Sequence, residues 1–361
     1  MHGLCINVGE LNFIAFSLVK IWYIIDNNII REKVSGMERT IIEELTTNIK
    51  RTNFRFLTPD RIEINAYRWE NTEQTEVRGI IQIAHGMAEH ILRYDDFCKF
   101  LVRHGFIVYG NDHRGHGGTI KAPDDKGFFA EKDGFEKVVT DMKQLSNIIR
   151  DEHPELPLFI LGHSLGSFLT RRYVQLFGEN VSGVILSGTG FNKGIGKIGL
   201  QIARWEKWRK GPRTPSPLMH KLVFYGFNEN FAPAKTEYDF LTRDEGIVAK
   251  YVADDKCGFT CSTSFYIDLL TGLDLIHRKE EVKKTPTNLP IFLVSGTLDP
   301  VGDDGKGVKK VYQLYKRTGC KHVRMKLYEN ARHEVLNEIN KEEVYEDILH
   351  WLNEVLEGGF K

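Results

Sequence analysis

The stretch from Leu158 to Gly166 constrains the fold of this chain more than any other. It reads Leu-Phe-Ile-Leu-Gly-His-Ser-Leu-Gly, an apolar run of strand length that ends in Gly-x-Ser-x-Gly. The residues after it, from Ser167 to Val174, place apolar side chains at helical spacing. The segment therefore predicts a strand, a sharp turn and a helix, with the Ser164 hydroxyl held clear of the backbone at the N-terminus of that helix.

The two glycines of this motif carry a structural prediction of their own. A side chain at Gly162 or Gly166 should collide with the adjoining strand or helix. Gly-x-Ser-x-Gly also occurs in unrelated loops, so a serine in an ordinary turn is the alternative. The flanking strand and helix patterns favour the first interpretation, because they are the context that the motif requires.

Composition narrows the class of protein. The chain has 361 residues, 41% of them hydrophobic, which is enough for a substantial core in one large domain or two ordinary ones. Basic and acidic residues number 49 each, so no net charge selects nucleic acid or an anionic membrane. The five cysteines have no framework spacing and favour a reducing compartment. Cys257 and Cys261 lack a nearby His or Cys pair, which favours buried thiols over a metal site.

The N-terminal region, residues 1–47, is predicted to be an extension outside the main domain. Residues from Leu11 to Ile25 are apolar and aromatic, but Lys20 interrupts them and the run is shorter than the roughly 20 residues that span a bilayer. A basic start and a small-residue cleavage site are not evident. Three interpretations of this region remain open. It is a peripheral amphipathic segment, a helix packed on the domain, or extra residues before a start at Met37, and the last two are favoured.

Strand and helix patterns alternate along the rest of the chain. A hairpin is predicted at 54–69 and helices at 95–104, 135–150, 308–318 and 342–356, with strands at 79–84, 106–110, 181–186, 291–295 and 323–328. This order predicts an α/β fold with a mostly parallel central sheet, helices on both faces and antiparallel strands at one edge. Ligands bind beyond the carboxyl ends of the strands in such folds.

One interval is too long for an ordinary connection. About a hundred aromatic-rich residues separate Ser187 from Pro290, where loops are usually a few residues long. We predict that residues 191–284 form a helical cap inserted before the last two strands, while residues 48–190 and 285–361 form the core. The aromatic side chains would supply an apolar wall for a substrate or the cap's own core, and more than half are expected in the latter.

A serine hydroxyl needs a base to become a nucleophile, and the base needs a carboxylate to orient it. In this topology the order along the chain should be serine, acid, histidine. Asp299 follows the strand at 291–295 and His333 follows the strand at 323–328, so both should reach the edge that holds Ser164. Asp303 and Asp304 are rival acids farther from the strand end.

Other histidines fit the role of the base less well than His333. His322 precedes its strand, His350 lies within the terminal helix, and His163 adjoins the serine but should point elsewhere.

The oxyanion also needs donors, and the amide after the nucleophile, that of Leu165, is one candidate. The second candidate is the amide of Met87, in the loop after the strand at 79–84. Glu89, His90 and Arg93 would either brace this loop or be ordinary surface residues.

Two polar loops invite other interpretations. Residues 111–118 include Asp112, His113 and His116, but a tight glycine-bearing turn is a poor metal site, so a structural loop beneath the active site is favoured. Residues 302–307 lack the P-loop pattern, so we assign no phosphate-binding function to them. No cofactor and no metal are expected.

Five segments together resemble the α/β-hydrolase superfamily, and within it the monoacylglycerol lipase and lysophospholipase-like group, also described as serine aminopeptidase-like hydrolases. The resemblance covers about Phe54 to Leu356 and rests on residues 85–94, 112–117, 162–166, 296–301 and 331–338. The cap passages at 240–244 and 250–259 resemble bacterial members of the group. Residues before about position 36 fall outside the resemblance.

The resemblance implies hydrolysis of a carboxylic ester with one fatty acyl chain, through an acyl-enzyme and beneath a mobile cap. We therefore expect a cytoplasmic serine esterase acting on monoacylglycerol or lysophospholipid, in transient contact with a membrane or micelle through the cap. A peptidase or haloperoxidase-like activity on the same triad is the first alternative. A non-catalytic ligand-binding protein that retains the fold is the second.

Overall fold

The computed structural model describes residues 48–73, 76–191 and 196–359, together with the backbone of three strands before them. The strands form an eleven-stranded sheet in the order β1-β2-β3-β4-β5-β7-β6-β8-β9-β10-β11. Their bounds are β1 Ile24–Asp26, β2 Ile29–Val34, β3 Met37–Glu44, β4 Ile49–Leu57, β5 Glu63–Asn71, β6 Gly79–Ala84, β7 Phe106–Asn111, β8 Leu158–His163, β9 Gly183–Ser187, β10 Ile291–Gly296 and β11 Val323–Tyr328.

The sheet divides into an antiparallel and a parallel half. Strands β1 to β5 pair antiparallel with their neighbours, and β5 pairs antiparallel with β7. All pairs from β7 through β6, β8, β9 and β10 to β11 are parallel. The carboxyl ends of β6, β8, β10 and β11 therefore face one edge, which is the edge that the sequence predicts for the site.

Helices cover both faces of the parallel half. Their bounds are α1 Asp95–Arg103, α2 Gly134–Glu152, α3 Leu165–Phe177, α4 Gly196–Lys210, α5 Pro217–Val223, α6 Glu245–Ala253, α7 Thr263–His277, α8 Lys279–Val282, α9 Lys306–Arg317 and α10 Lys341–Leu356. Residues of α2, α3 and α9 pack in one cluster, and residues of α1 and α10 pack in another.

The central strands show why their sequences are apolar at nearly every position. In β6, Ile80 belongs to the cluster on one face, while Ile81 and Ile83 belong to the cluster on the other. Alternate side chains of a strand point to opposite faces, so a strand covered on both sides must be apolar throughout. The predicted α/β architecture is confirmed, including the antiparallel hairpin, whose strands β4 and β5 extend farther than the sequence pattern indicates.

The predicted N-terminal segment from Leu11 to Ile25 lies outside the described residues, apart from the backbone at the start of β1. Among the helices that the structure describes, none has the length and apolar character needed to cross a bilayer.

Helices α4 to α8 occupy the long interval between β9 and β10. Helix α7 packs against α2, α3 and α4, which joins this interval to the rest of the fold. Phe240, Leu241 and Tyr251 form a small apolar cluster of their own with Cys257, and partly buried aromatic residues pack against it. Part of the aromatic content thus forms a local core, while the boundaries of the predicted cap at 191–284 stay a prediction.

Candidate active site

Ser164 occupies the turn between β8 and α3. Its backbone has φ 52° and ψ −118°, a left-handed conformation that non-glycine residues rarely adopt. Leu165 is the first residue of α3, so its amide has no acceptor within the helix. The strained turn therefore points the hydroxyl and an unpaired helix N-terminus at the same space, as the strand-turn-helix pattern predicts.

The flanking glycines allow the close approach that this turn requires. A Cβ atom at Gly166 would overlap the carbonyl oxygen of Ala84 in β6, and one at Gly162 would overlap the carbonyl oxygen of Gly166. Backbone atoms cannot move aside as a flexible side chain could, so a larger residue would displace the strand or the helix.

Asp299 and His333 meet at the carboxyl ends of β10 and β11. His333 Nδ1 lies 2.9 Å from Asp299 Oδ1, and both side chains are buried. The carboxylate also accepts hydrogen bonds from the Ser295 hydroxyl at 2.7 Å and from the Val301 amide at 2.9 Å. These donors fix the carboxylate, which in turn fixes the orientation of the imidazole ring.

The pair shifts the pKa of both partners. Burial alone would lower the pKa of His333, but the charge of Asp299 and their hydrogen bond raise that pKa above its usual range. Burial alone would raise the pKa of Asp299, but His333 and the hydrogen bond from Ser295 hold that pKa below its usual range. The carboxylate is therefore charged and favours a protonated imidazole, as an orienting acid must.

Ser164 and His333 line one cavity of about 290 Å³. Among the described residues, the structure shows no hydrogen bond between the Ser164 hydroxyl and His333. Such bonds are often long in enzymes without substrate and tighten when it binds. The rival side chains are placed elsewhere: Asp304 lies near Asn230, and His350 is on the exposed side of α10.

His163 lies closer to the site than the sequence suggests. Its ring centroid is 4.7 Å from that of His333, and it lines the same cavity. Burial, reinforced by His333, lowers the pKa of His163 to about 3. The His163 ring is therefore neutral at ordinary pH. It packs against His333 and does not compete with His333 for the proton of Ser164.

The loop after β6 is held by an internal carboxylate. Glu89 Oε1 accepts hydrogen bonds from the Gly86 amide at 2.5 Å and from the Tyr94 hydroxyl at 2.8 Å. Gly86 and Met87 both line the cavity that contains Ser164. Residues 85–90, which carry the predicted oxyanion donor Met87, are called the oxyanion loop below. The buried Glu89 carboxylate ties the start of this loop to Tyr94, so its contacts favour the bracing role over that of an ordinary surface residue.

Arg93 joins the oxyanion loop to the loop that carries the histidine. Its guanidinium donates to Glu89 Oε2 at 2.5 Å and makes a bidentate pair with Glu334 at 2.6 and 2.7 Å. Burial raises the pKa of Glu334, but Arg93 reverses this and lowers it to about 2. One buried cation therefore fixes the residue next to His333 relative to the predicted oxyanion donors.

The interval between β9 and β10 is hydrogen-bonded to the histidine loop. The His333 amide donates to the Phe240 carbonyl at 3.2 Å, and the Glu334 amide donates to the Leu241 carbonyl at 2.6 Å. Phe240 and Leu241 also line the cavity. The same short segment thus contacts both the backbone of the catalytic candidate and the space where a substrate would lie.

The loop at 111–118 is structural in its contacts. Asp112 accepts hydrogen bonds from the amides of Ile91 and Gly118, and the His113 amide donates to His85 Nε2 at 2.9 Å. Burial lowers the pKa of His113 to about 3 and that of His116 to about 4. Neutral rings packed beneath the oxyanion loop agree with a supporting role.

Apolar side chains make up most of the cavity lining. They come from the oxyanion loop, from α3, from α5 and its C-terminal turn, and from α7, and include Met87, Phe168, Met219, Leu222, Val223, Phe224, Leu269, Leu270 and Leu273. The polar side chains of the lining include Ser164, His163, His333, Glu89 and Glu334. A ligand with an apolar tail and a polar reacting group matches this lining.

Known proteins are similar in sequence to most of this chain. The family described as "Serine aminopeptidase, S33" matches residues 75–340. The monoacylglycerol lipase of Mycolicibacterium smegmatis is 27% identical over 286 residues, which cover 78% of this chain and 90% of that protein. The monoglyceride lipase of Rattus norvegicus is 27% identical over 277 residues, covering 76% and 81%.

Solved structures agree with the sequence matches. A thermostable carboxyl esterase from Bacillus coagulans, solved with glycerol, superposes with a TM-score of 0.78 at 29% identity, covering 85% of this chain and 99% of that one. The family match spans well over half of the chain and includes β6 to β11 with Ser164, Asp299 and His333. The chain therefore belongs to the serine aminopeptidase S33 family of hydrolases and has the α/β-hydrolase fold.

Proposed function

We propose that this protein hydrolyses monoacylglycerols through an acyl-enzyme formed on Ser164. The chain is a carboxylic-ester hydrolase of the monoacylglycerol lipase type, in line with its family and its relatives. The single observation that carries the finer proposal is the cavity, whose mostly apolar lining also includes Ser164 and His333.

The proposed mechanism follows from the roles that we assign to these residues. His333 takes the proton of the Ser164 hydroxyl as Ser164 attacks the ester carbonyl, and Asp299 stabilises the imidazolium that forms. The amides of Leu165 and Met87 donate to the oxyanion. His333 then protonates the leaving alcohol, a water molecule enters, and the same residues release the fatty acid in a second cycle.

The charges around the cavity favour a neutral head group. Among the described residues that line it, no lysine or arginine is present, so a phosphate would meet no cation. The two carboxylates there, Glu89 and Glu334, share the guanidinium of Arg93, and each of their oxygens already accepts a hydrogen bond from Arg93 or from a neighbouring donor. A choline group or a peptide's α-ammonium would thus find no free carboxylate in this set, which favours glycerol esters over lysophospholipids and peptides.

A membrane surface would supply such substrates, and we propose that α4 contacts it. This helix exposes Trp205, Trp208 and Ile198, with Trp208 83% exposed, and carries basic residues in its last turn. Exposed tryptophans next to lysine and arginine are typical of helices that lie at a lipid interface. We also keep the proposal of a cytoplasmic location, which the free cysteines Cys98, Cys257, Cys261 and Cys320 support.

The test compares wild type with Ser164→Ala on a long-chain monoacylglycerol, a lysophosphatidylcholine of the same acyl chain and an aminoacyl arylamide. Loss of the nucleophile should reduce kcat by roughly 10³-fold or more on the monoacylglycerol. Ser182→Ala is the matched control, because this partly exposed serine lies before β9 at the opposite edge of the sheet.

Two results would contradict the proposal. Equal monoacylglycerol turnover by wild type and Ser164→Ala would exclude the acyl-enzyme. A higher kcat/KM for the lysolipid or the arylamide than for the monoacylglycerol would exclude the substrate class. The remaining alternative is a non-catalytic ligand-binding protein. A fluorophosphonate probe distinguishes it from an esterase, since a non-catalytic protein should stay unlabelled.

A further inference from the structure

A second cluster of reactive side chains lies where the oxyanion loop meets the C-terminal end of α6. His90 Nε2 is 2.8 Å from Asp254 Oδ2, and the Cys257 sulfur completes a group whose ligand atoms all lie within 4.8 Å of one another. None of the three residues lines the cavity that contains Ser164. The proposed hydrolysis therefore leaves this cluster without a role.

We propose that His90, Asp254 and Cys257 bind a Zn²⁺ ion. An imidazole nitrogen, a carboxylate oxygen and a thiolate sulfur are the ligands that zinc prefers, and three protein ligands leave a fourth position for water. Tetrahedral zinc with bonds of 2.0 to 2.3 Å sets its ligand atoms about 3.3 to 3.6 Å apart. The His90 and Asp254 atoms lie 2.8 Å apart and all ligand atoms lie within 4.8 Å of one another, so each distance differs from that geometry by little more than 1 Å.

The cluster is open to an ion from solvent on one side. The Asp254 side chain is 33% exposed, whereas Cys257 is buried beneath it. An ion would first meet the carboxylate and then the thiol. The site is therefore shallow and lies where the oxyanion loop meets the segment after α6. This contact of His90 with Asp254 and Cys257 is called the seam below.

The charges and protons of the three ligands balance when Zn²⁺ binds. Burial raises the pKa of the Cys257 thiol, while the Arg93 guanidinium lowers it in part. Zinc displaces the thiol proton to solvent and replaces the hydrogen bond between His90 Nε2 and Asp254; the Nε2 hydrogen is lost to solvent while Nδ1 takes up one, so the ring binds as the neutral Nδ1–H tautomer. One carboxylate and one thiolate then neutralise the two charges of the ion.

An ion bound at this cluster would link the oxyanion loop to the segment after α6. Ala88, within the oxyanion loop, already accepts hydrogen bonds from the Gly258 amide at 2.9 Å and from the Tyr251 hydroxyl at 3.0 Å. A metal bound by His90, Asp254 and Cys257 adds a stronger link between the same two segments. We expect the segment after α6 to be fixed on the oxyanion loop, with slower entry of large substrates.

The experiment uses the full chain with Cys5 replaced by serine, because Cys5 lies outside the described residues and is a further thiol. Metal-free protein is titrated with Co²⁺ and then with Zn²⁺. We expect one equivalent of Co²⁺ to produce a thiolate-to-cobalt charge-transfer band in the near ultraviolet, and one equivalent of Zn²⁺ to remove it.

Cys257→Ser and Asp254→Asn should each weaken zinc binding at least tenfold, and Cys257→Ser should abolish the band. Cys320→Ser is the matched control, a buried thiol between α9 and β11 that should leave both readouts unchanged. A spectrum without a thiolate band, or equal zinc affinity of Cys257→Ser and the control, would overturn the proposal. Both readouts are independent of ester hydrolysis, so they stand or fall separately from the proposed function.

Discussion

Replacing Asp299 by asparagine isolates the electrostatic part of its role. Asp299 Oδ1 faces two donors, the imidazole of His333 and the Val301 amide, while Oδ2 faces the Ser295 hydroxyl. The asparagine oxygen should take the Oδ1 position, because its NH₂ group would oppose the Val301 N–H there. The serine hydroxyl can rotate and accept from that NH₂ group. Asp299→Asn should therefore keep the ring orientation and tautomer of His333 and remove only the charge.

The size of the loss follows from Coulomb's law. The Nδ1 to Oδ1 distance of 2.9 Å puts the charge centres of an imidazolium and the carboxylate about 4 Å apart, where two unit charges attract by about 4 kcal/mol at an effective dielectric constant of 20. The imidazolium exists in the transition state and not in the resting enzyme. We therefore expect kcat to fall about a thousandfold for Asp299→Asn.

The pH profile provides a second readout. His333 must be neutral to accept a proton, so kcat/KM rises with pH through the His333 pKa of the free enzyme. Asp299 raises that pKa, whereas burial lowers it. Removing the carboxylate charge takes away the largest upward effect on this pKa, so the acidic limb of the profile should move to lower pH in Asp299→Asn.

The assay is the steady-state hydrolysis of a soluble short-chain ester over a range of pH. Asp304→Asn is the matched control, because this exposed carboxylate lies on the same loop and should change neither kcat nor the profile. A rate for Asp299→Asn within tenfold of wild type, or an acidic limb at the same pH, would refute the assignment of Asp299 as the orienting acid.

Two further predictions concern the cavity and the buried ion network. In a series of monoacylglycerols, each added CH₂ group buried against the apolar wall should contribute up to about 0.8 kcal/mol, so kcat/KM should rise by up to about fourfold per group and then level off when the cavity is full; a flat series would contradict the proposed acyl site. Arg93→Met should lower the free energy of unfolding, measured by urea denaturation, by about 3 to 5 kcal/mol, since it leaves Glu89 and Glu334 buried without a cation. Arg55→Met, which breaks an exposed pair with Glu63, should cost about 1 kcal/mol or less, and equal losses for the two arginine variants would refute the network's role in stability.

The sequence predicts the architecture well because local patterns and topology decide it. Strand and helix positions follow from apolar periodicity, and the structure confirms them within a few residues for elements such as α1 and α9. The placement of Asp299 beside His333 is also foreseeable, since parallel strands bring their carboxyl ends to one edge. The strained φ of Ser164 and the glycines around it are also foreseeable, because the Gly-x-Ser-x-Gly motif signals them, although the carbonyl that Gly166 must accommodate belongs to β6.

Contacts between loops are a different matter, because no periodicity encodes them. The sequence suggests that His163 points away from the site, yet its ring lies against His333. Arg93 and Glu334 are separated by 241 positions along the chain and meet in a bidentate pair. A hydropathy pattern records which face a residue occupies, but not which charged side chain from a distant loop neutralises it. The same limit hides the approach of His90 to Asp254 and Cys257.

The two long-range clusters contact the same short loop through adjacent residues, Glu89 and His90. Arg93 links Glu89 of the oxyanion loop to the residue beside His333, and His90 at the end of that loop faces Asp254 after α6. A displacement of the oxyanion loop would therefore disturb the ion network and the seam together. Because packed and hydrogen-bonded groups have few alternative arrangements, the position of the Met87 amide depends on residues far from the reacting atoms. A variant at the seam should thus change kcat/KM for large substrates more than it changes the pH profile, which depends on the separate pair of Asp299 and His333.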